Sequence, residues 1–589
     1  MQRIHRWLSV ALCLMLLAAC GGASTQPLTS PNNQGAATPA AQSPRRQSNP
    51  TSPTTAAAAA TQVSGSQDAV QAPSGQQELP AATAAPALGG TVAGGAPVQE
   101  VPPSGSNESY KVEPAPTQIP QGNTNFYDPS QDSEIYDSVY FQNYGVNPFF
   151  VTSNDPLSTF SMDVDTASYG VMRRFINGGN LPDPDSVRVE EYLNYFNYKY
   201  PQPTDETAFA IYTEGSASAF GGTGYETLQI GIQGKNVSSQ QRKPAALTFV
   251  IDVSGSMARE DRLGAVKQAL ALVVDQMRED DSIAIAVYGT SARTVLGMTN
   301  GSDKQRILDA INGLQSEGST NVQDGLRYGF DLASQGFKAN GINMILLCSD
   351  GVANNGVTDP QALLNQYQEY IDDGIQLSTF GFGMGNYNDI LMEQLADGGN
   401  GRYAYIDTFD EAKRQFLEQL TGTLQTIARD AKIQVEFNPD VVRRYRLAGY
   451  ENRDIADSDF RNNAVDAGEV GAGHSVTAVY EIKRVRGSSG KIATVRIRYQ
   501  DADSGDIIEE TRDIYSDQML ASVNDGSPRF KLAVSVTQYA ELLRHSKWVR
   551  DQNLESVIGL AVAAADGMND PDVDEFVDLV TEAELFARP

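Results

Sequence analysis

From Ala245 to about Leu424 the chain alternates short apolar, β-branched runs with helical stretches, and no other feature limits the fold so tightly. Strands separated by helices are joined by crossovers, pair in parallel and need helices over both faces of the sheet. The pattern predicts strands at 248–252, 282–288, 342–350, 376–383 and 402–406, with TVLG as a further short strand. Helices are predicted at 263–277, 304–314, 322–332, 360–372, 388–397 and 409–427. The expected fold class is α/β: a doubly wound, mostly parallel sheet, flanked by a β-sandwich-like region and a carboxy-terminal helical segment.

The first of these strands ends abruptly. Leu247 to Met257 reads LTFVIDVSGSM, in which Asp252, Ser254 and Ser256 are spaced two apart around a Gly. Residues two apart in an extended segment share a face, so one carboxylate and two hydroxyls can converge on a single point. Oxygen-only donors suit a hard cation such as Mg²⁺, whereas zinc favours His or Cys. Ligands in open α/β sheets bind at the carboxyl ends of strands. Asp350 stands at another such end, and Ser319 and Thr320 lie in a Gly/Ser-rich loop before a helix.

Three Cys and three His in 589 residues narrow the chemistry. Cys13 and Cys20 fall at the amino terminus and Cys348 within an apolar run, so no internal disulfide framework is expected and Cys348 reads as a small core residue. Beyond the leader only His474 and His545 remain, too few for a His-based metal site or a Ser/His/Asp triad. The expectation is a protein that is not an enzyme. A net charge of −29 disfavours a nucleic-acid partner, since phosphates would be repelled.

Residues 1–20 have a basic start at Arg3 and Arg6, an apolar stretch from Trp7 to Leu17, and then Leu17-Ala18-Ala19-Cys20. The apolar stretch is short for a membrane span and has the form of a secretory signal. The last four residues resemble a bacterial lipobox, which implies that Cys20 is lipidated and anchors the chain to a membrane from outside the cytoplasm. From 21 to 124 the composition is Ala, Pro, Gln, Ser, Thr and Gly with no aromatic before Tyr110, as expected of a disordered tether. Such a segment has an r.m.s. span of roughly 50 to 60 Å.

Asp163 and Asp165 invite an EF-hand reading, which fails because Ser168 and Arg174 stand where Gly and Glu are needed. A haloacid-dehalogenase type phosphatase also begins with Asp-x-Asp after a strand, although here the following Thr is out of place and FSM is a weak strand. The simpler expectation is a helix start capped by Asp165, Thr166 or Ser168. GFGMGN at 381–386 lacks the spacing of a dinucleotide loop and reads as a tight turn on the rim of the oxygen site. Asp501 to Asp506 reads as a hairpin turn and His474 as structural. Strands between 207 and 236 and those after Lys432 are expected to form one β-sandwich, interrupted by the α/β domain. In the tail Trp548 is expected as a packing anchor, and Asp570, Asp572, Asp574 and Glu575 as a solvated helix start.

Asp252-x-Ser254-x-Ser256, Thr320 in GSTN and Asp350 in CSDG, in that order, resemble the metal-ion-dependent adhesion site of a von Willebrand factor A (vWA) domain. The resemblance implies that both Ser bind the metal directly, that Thr320, Asp252 and Asp350 bind it directly or through water, and that a protein partner's Asp or Glu fills the remaining position. It implies Mg²⁺, with Mn²⁺ or Ca²⁺ as the other candidates. STFSMDVDTASY, VRVEEYLNYF, GFGMGNYND and LTGTLQTIARDAKIQVEFNP, among other stretches, resemble the bacterial YfbK-like lipoproteins over about 150–589.

The expected organisation is a lipoprotein signal at 1–20, a linker at 21–124, an amino-terminal region of helices and strands at 125–243, and the vWA domain at 244–427. An antiparallel β region at 428–520 and a helical region at 521–589 complete it. The expected function is that of a membrane-anchored, extracytoplasmic lipoprotein binding a protein partner through a divalent metal. The alternatives are a cell-envelope scaffold stabilised by its metal, and a phosphatase using Asp163 and Asp165.

Overall fold

A computed structural model of the chain describes residues 141–587, apart from 205–206, 220–221, 223, 352–355, 384–387 and 550–551. The signal segment, Cys20 and the linker at 21–124 lie outside the described residues, as do positions 384–386 of the GFGMGN turn.

The predicted α/β sheet is present. Its six strands run in the order Tyr403–Ile406, Gln376–Phe382, Ile342–Ser349, Ala245–Asp252, Ser282–Tyr288 and Arg293–Asn300. All pairs are parallel except the last, where Arg293–Asn300 closes the edge antiparallel. Ala245–Asp252 is central, and all eight of its residues are buried, as expected of a strand covered on both faces. Its alternate side chains feed two cores. Leu247, Phe249 and Ile251 pack with Val266, Leu270 and Val273, while Val250 packs with Leu326 and Phe330 on the other side. Each such side chain contributes about 1.5 to 3 kcal/mol on leaving water. Cys348 is buried in the first of these cores as a free thiol.

The expected sandwich is also present. Tyr225–Gly234 pairs antiparallel with Ser475–Arg484, so strands before and after the α/β domain share one sheet. The second sheet runs Gly468–Gly471, Thr426–Phe437, Lys491–Asp501 and Ile507–Tyr515. Leu228 and Ile230 from one sheet and Ile433, Val435 and Ile497 from the other fill a single core. The turn after Lys491–Asp501 is held by the Asp501 carboxylate, which accepts from the N–H groups of Asp503 and Ser504 at 3.0 and 2.8 Å.

Three expectations about helices change. The helix at 360–372 is two short ones, Pro360–Leu364 and Gln368–Asp372, because the chain turns between them to stack Tyr367 on Phe330 at 4.6 Å. The helix at 409–427 opens into a wide turn, where the Gln419 N–H donates to Arg414 O at 2.9 Å, and the chain is already a strand from Thr426. At the start of the opening, Arg414 and Gln415, three and four residues on from Glu411 and so on its face of the helix, both reach its carboxylate, at 2.8 and 2.7 Å. The helix Ala167–Asn177 is not capped by Asp165, Thr166 or Ser168. Its Ser168 N–H donates instead to the Glu191 carboxylate at 2.7 Å, a cap supplied from a neighbouring helix.

The tail forms the helices Pro528–Leu543, Leu554–Met568 and Pro571–Ala587. Trp548 meets Phe149 edge-on at 4.9 Å and donates from Nε1 to Asn147 O at 2.9 Å, the anchor expected of it. The acidic helix start is not merely solvated: Glu575 pairs with the buried Arg173 at 3.1 Å and Asp570 with Lys199 at 3.4 Å. Among the described residues no helix is long and apolar enough to cross a membrane.

Candidate metal centre at the strand ends

Where Ala245–Asp252 runs out, the chain turns over and three segments meet. Asp252, Ser254, Thr320 and Asp350 are all at most 1% exposed, and Ser256 is half-buried. The Asp252 carboxylate bridges the first and third segments, accepting from Ser254 N–H at 2.8 Å and from Ser349 Oγ at 3.0 Å. The hydroxyls of Ser254 and Ser256 lie 2.9 Å apart. The second segment docks through its backbone: Gly255 N–H donates to Gly318 O at 3.0 Å and Glu317 N–H to Val253 O at 2.5 Å. Gly318 has φ +74°, and a Cβ there would stand 2.0 Å from Thr290 Oγ1, so this approach requires glycine.

The electrostatics are unbalanced. Burial, and then the charge of Asp350, push Asp252 up to about 7 against the hydrogen bonds from Ser254 and Ser349. Asp350 Oδ1 is buried with no hydrogen-bond partner among the described residues. Two buried carboxylates and three hydroxyls form an oxygen-only set with an acceptor to spare, and that fits a hard divalent cation. Among the described residues no group of three or more His, Cys, Asp or Glu could hold a metal, so a site here depends on its hydroxyls.

One residue was not foreseen. Arg262, at the start of the helix Arg262–Gln276, donates from Nη1 to Asp350 Oδ2 at 2.8 Å, with side chains 3% and 0% exposed. The sequence offers Arg259 and Arg262 just after the oxygen motif, and which of them turns back toward Asp350 depends on the fold.

Asp163 and Asp165 do not form a second centre. The strand before them, Leu157–Ser161, lies antiparallel on Thr426–Phe437, not in the parallel sheet that the phosphatase reading needs. Asp163 accepts from Asp165 N–H at 2.9 Å, and Asp165 accepts from Tyr403 N–H at 2.8 Å while pairing with Arg453 at 3.2 Å. Asp165 thus ties the amino-terminal segment to the α/β domain, while Asp163 folds back on Asp165 and faces Arg453 at 3.5 Å. His474 is likewise structural: burial and the neighbouring Arg402 hold its pKa well below the usual imidazole range.

Sequence comparison agrees with this fold. Residues 246–423 match the von Willebrand factor type A domain, residues 135–223 a von Willebrand factor family, and residues 422–493 and 483–586 the family "Uncharacterized protein YfbK, C-terminal". The chain is thus a vWA-domain protein, of a class whose domains commonly mediate protein–protein interaction. Within that class it is YfbK-like: it is 41% identical over 349 residues to uncharacterized protein YfbK of Escherichia coli, a match spanning 58% of this chain and 60% of that one. Inter-alpha-trypsin inhibitor heavy chain H3 of Homo sapiens is 27% identical over 193 residues, 31% of this chain and 22% of that one. Among solved structures, the von Willebrand factor type A protein from Catenulispora acidiphila aligns over 65% of this chain and 91% of its own at 14% identity, with a TM-score of 0.39. That likeness is too slight to add to the fold described above.

Proposed function

We propose that the protein is an extracytoplasmic vWA lipoprotein, anchored through Cys20, that captures a protein partner through Mg²⁺. Asp252, Ser254, Ser256, Thr320 and Asp350 would hold the metal, and an Asp or Glu of the partner would complete its shell. Mn²⁺ or Ca²⁺ would suit the same oxygens. The observation that carries this reading is Asp350 Oδ1, a buried carboxylate oxygen with no hydrogen-bond partner among the described residues, close enough to the buried Asp252 for its charge to raise that carboxyl's pKa. An acceptor stranded in this way costs stability unless a cation satisfies it. Hydroxyl ligands do not neutralise a divalent ion, so the bound metal would retain a strong attraction for an incoming carboxylate. Thr320 and the two Ser orient that metal; no bond is made or broken, and the protein acts by binding.

The test is capture from envelope extracts by wild-type protein and Thr320→Ala, each with and without EDTA. Capture lost in both EDTA and the variant is expected. Capture indifferent to EDTA overturns the reading, and a melting shift with Mg²⁺ but no metal-dependent capture makes the site a stabiliser of an envelope scaffold.

A further inference from the structure

Resting on the metal-site reading above, we infer that Arg262 is a built-in counter-cation: it holds the metal-free site together and weakens its hold on the metal. The guanidinium is nearly water-excluded and bonded to one oxygen of Asp350, while the other oxygen of the same carboxylate is left for a ligand. One carboxylate is thereby shared between a permanent internal cation and a place for an exchangeable one.

The passage that brings Arg262 there is specific to it. Gly383, at the end of the neighbouring strand Gln376–Phe382, has φ +79°, and a Cβ at that position would lie 2.1 Å from Arg262 Nε and 2.5 Å from its Cδ. Any other residue would force the guanidinium aside. The loop is glycine where the arginine needs to pass.

Two opposing effects follow. By fixing Oδ2, Arg262 positions Asp350, which favours metal binding. By placing a positive charge beside a metal ligand in a water-poor site, it repels a divalent cation, and charge effects there are screened far less than at the surface. The loss of a single orienting hydrogen bond is the weaker of the two, because Asp350 remains enclosed by its own strand end. Arg262 therefore trades affinity for reversibility. Without metal it partly neutralises Asp350, and with metal it lowers the residence of the ion.

The experiment is calorimetric titration of the purified protein with MgCl₂ for wild type, Arg262→Met and Arg262→Lys, with thermal melts of each in EDTA and in saturating Mg²⁺. Arg262→Met should bind Mg²⁺ at least tenfold more tightly than wild type, about 1.4 kcal/mol. In EDTA it should melt lower than wild type, and saturating Mg²⁺ should close the gap. Arg262→Lys, which keeps the charge and loses the planar fork, should bind within about threefold of wild type. Should Arg262→Met bind Mg²⁺ equally or more weakly while wild type binds it, Arg262 is only a positioning residue and the inference fails, with the metal site intact. If neither binds Mg²⁺, Mn²⁺ or Ca²⁺, the metal-site reading falls and this inference with it. Binding by Arg262→Met alone supports the inference in its strongest form.

Discussion

Two buried sets of charges in this molecule are built on opposite terms. Around Glu541, Arg446 and Arg544 approach at 3.1 and 2.5 Å, and Arg446 also holds Glu481 at 2.8 Å. Around Glu411, Arg173 and Arg414 approach at 3.0 and 2.8 Å. Burial alone would raise both glutamates, yet the paired arginines hold each at about 2. At the strand ends, by contrast, the one arginine pairs with Asp350 alone, Asp252 stands at about 7, and one oxygen of Asp350 has no hydrogen-bond partner among the described residues. The first arrangement gives every carboxylate an arginine and ties the helices of the tail and the amino-terminal segment to the rest. The second is left short of positive charge, which is what the proposed metal would supply.

The comparison is broken most forcefully at Arg446, whose side chain is 1% exposed. Arg446→Met leaves Glu481 buried without the arginine it pairs with and Glu541 with Arg544 alone, and should cost about 3 to 5 kcal/mol in urea denaturation. Next comes acid. The folded pKa of Glu411 and Glu541 is about 2, below the unfolded value of 4.5, so their stabilisation is complete above about pH 4.5 and is lost as pH falls toward 2. Denaturation at pH 7 and pH 2.5 should differ by on the order of 3 kcal/mol from each group.

The strand-end site should behave in the other sense. Mg²⁺ at a hundredfold excess over its Kd should stabilise wild type by about 2.7 kcal/mol. Asp252→Asn should abolish that shift while leaving the metal-free protein no less stable at pH 8, as differential scanning calorimetry would show. The smallest effect is expected at the exposed pair Arg461–Glu509, 2.7 Å apart with Arg461 63% exposed. Arg461→Ala should cost less than about 1 kcal/mol.

The α/β sheet and the oxygen motif were legible because both are local. Alternate residues of Ala245–Asp252 declare a strand buried on two faces, and the spacing of Asp252, Ser254 and Ser256 declares a shared direction. What was illegible depends on distant partners. The Ala167–Asn177 helix takes its cap from Glu191, the acidic start of the last helix takes Arg173, and Arg262 points back at Asp350. Each uses a residue whose local propensity says nothing of where its tip will end.

The insertion of the α/β domain between two strands of one sheet also governs how the chain can fold. Gln233 Nε2 donates to Gly473 O across 240 residues of sequence, a separation that makes the sandwich slow to close from an open chain. The α/β sheet uses only nearer neighbours, so it can form first, and once formed it holds Pro244 and the start of Thr426–Phe437 in fixed places. A long and entropically expensive loop then becomes a short rigid bridge. A destabilising change in the core of Ala245–Asp252 should therefore slow assembly of the sandwich, which shares no side chain with that core.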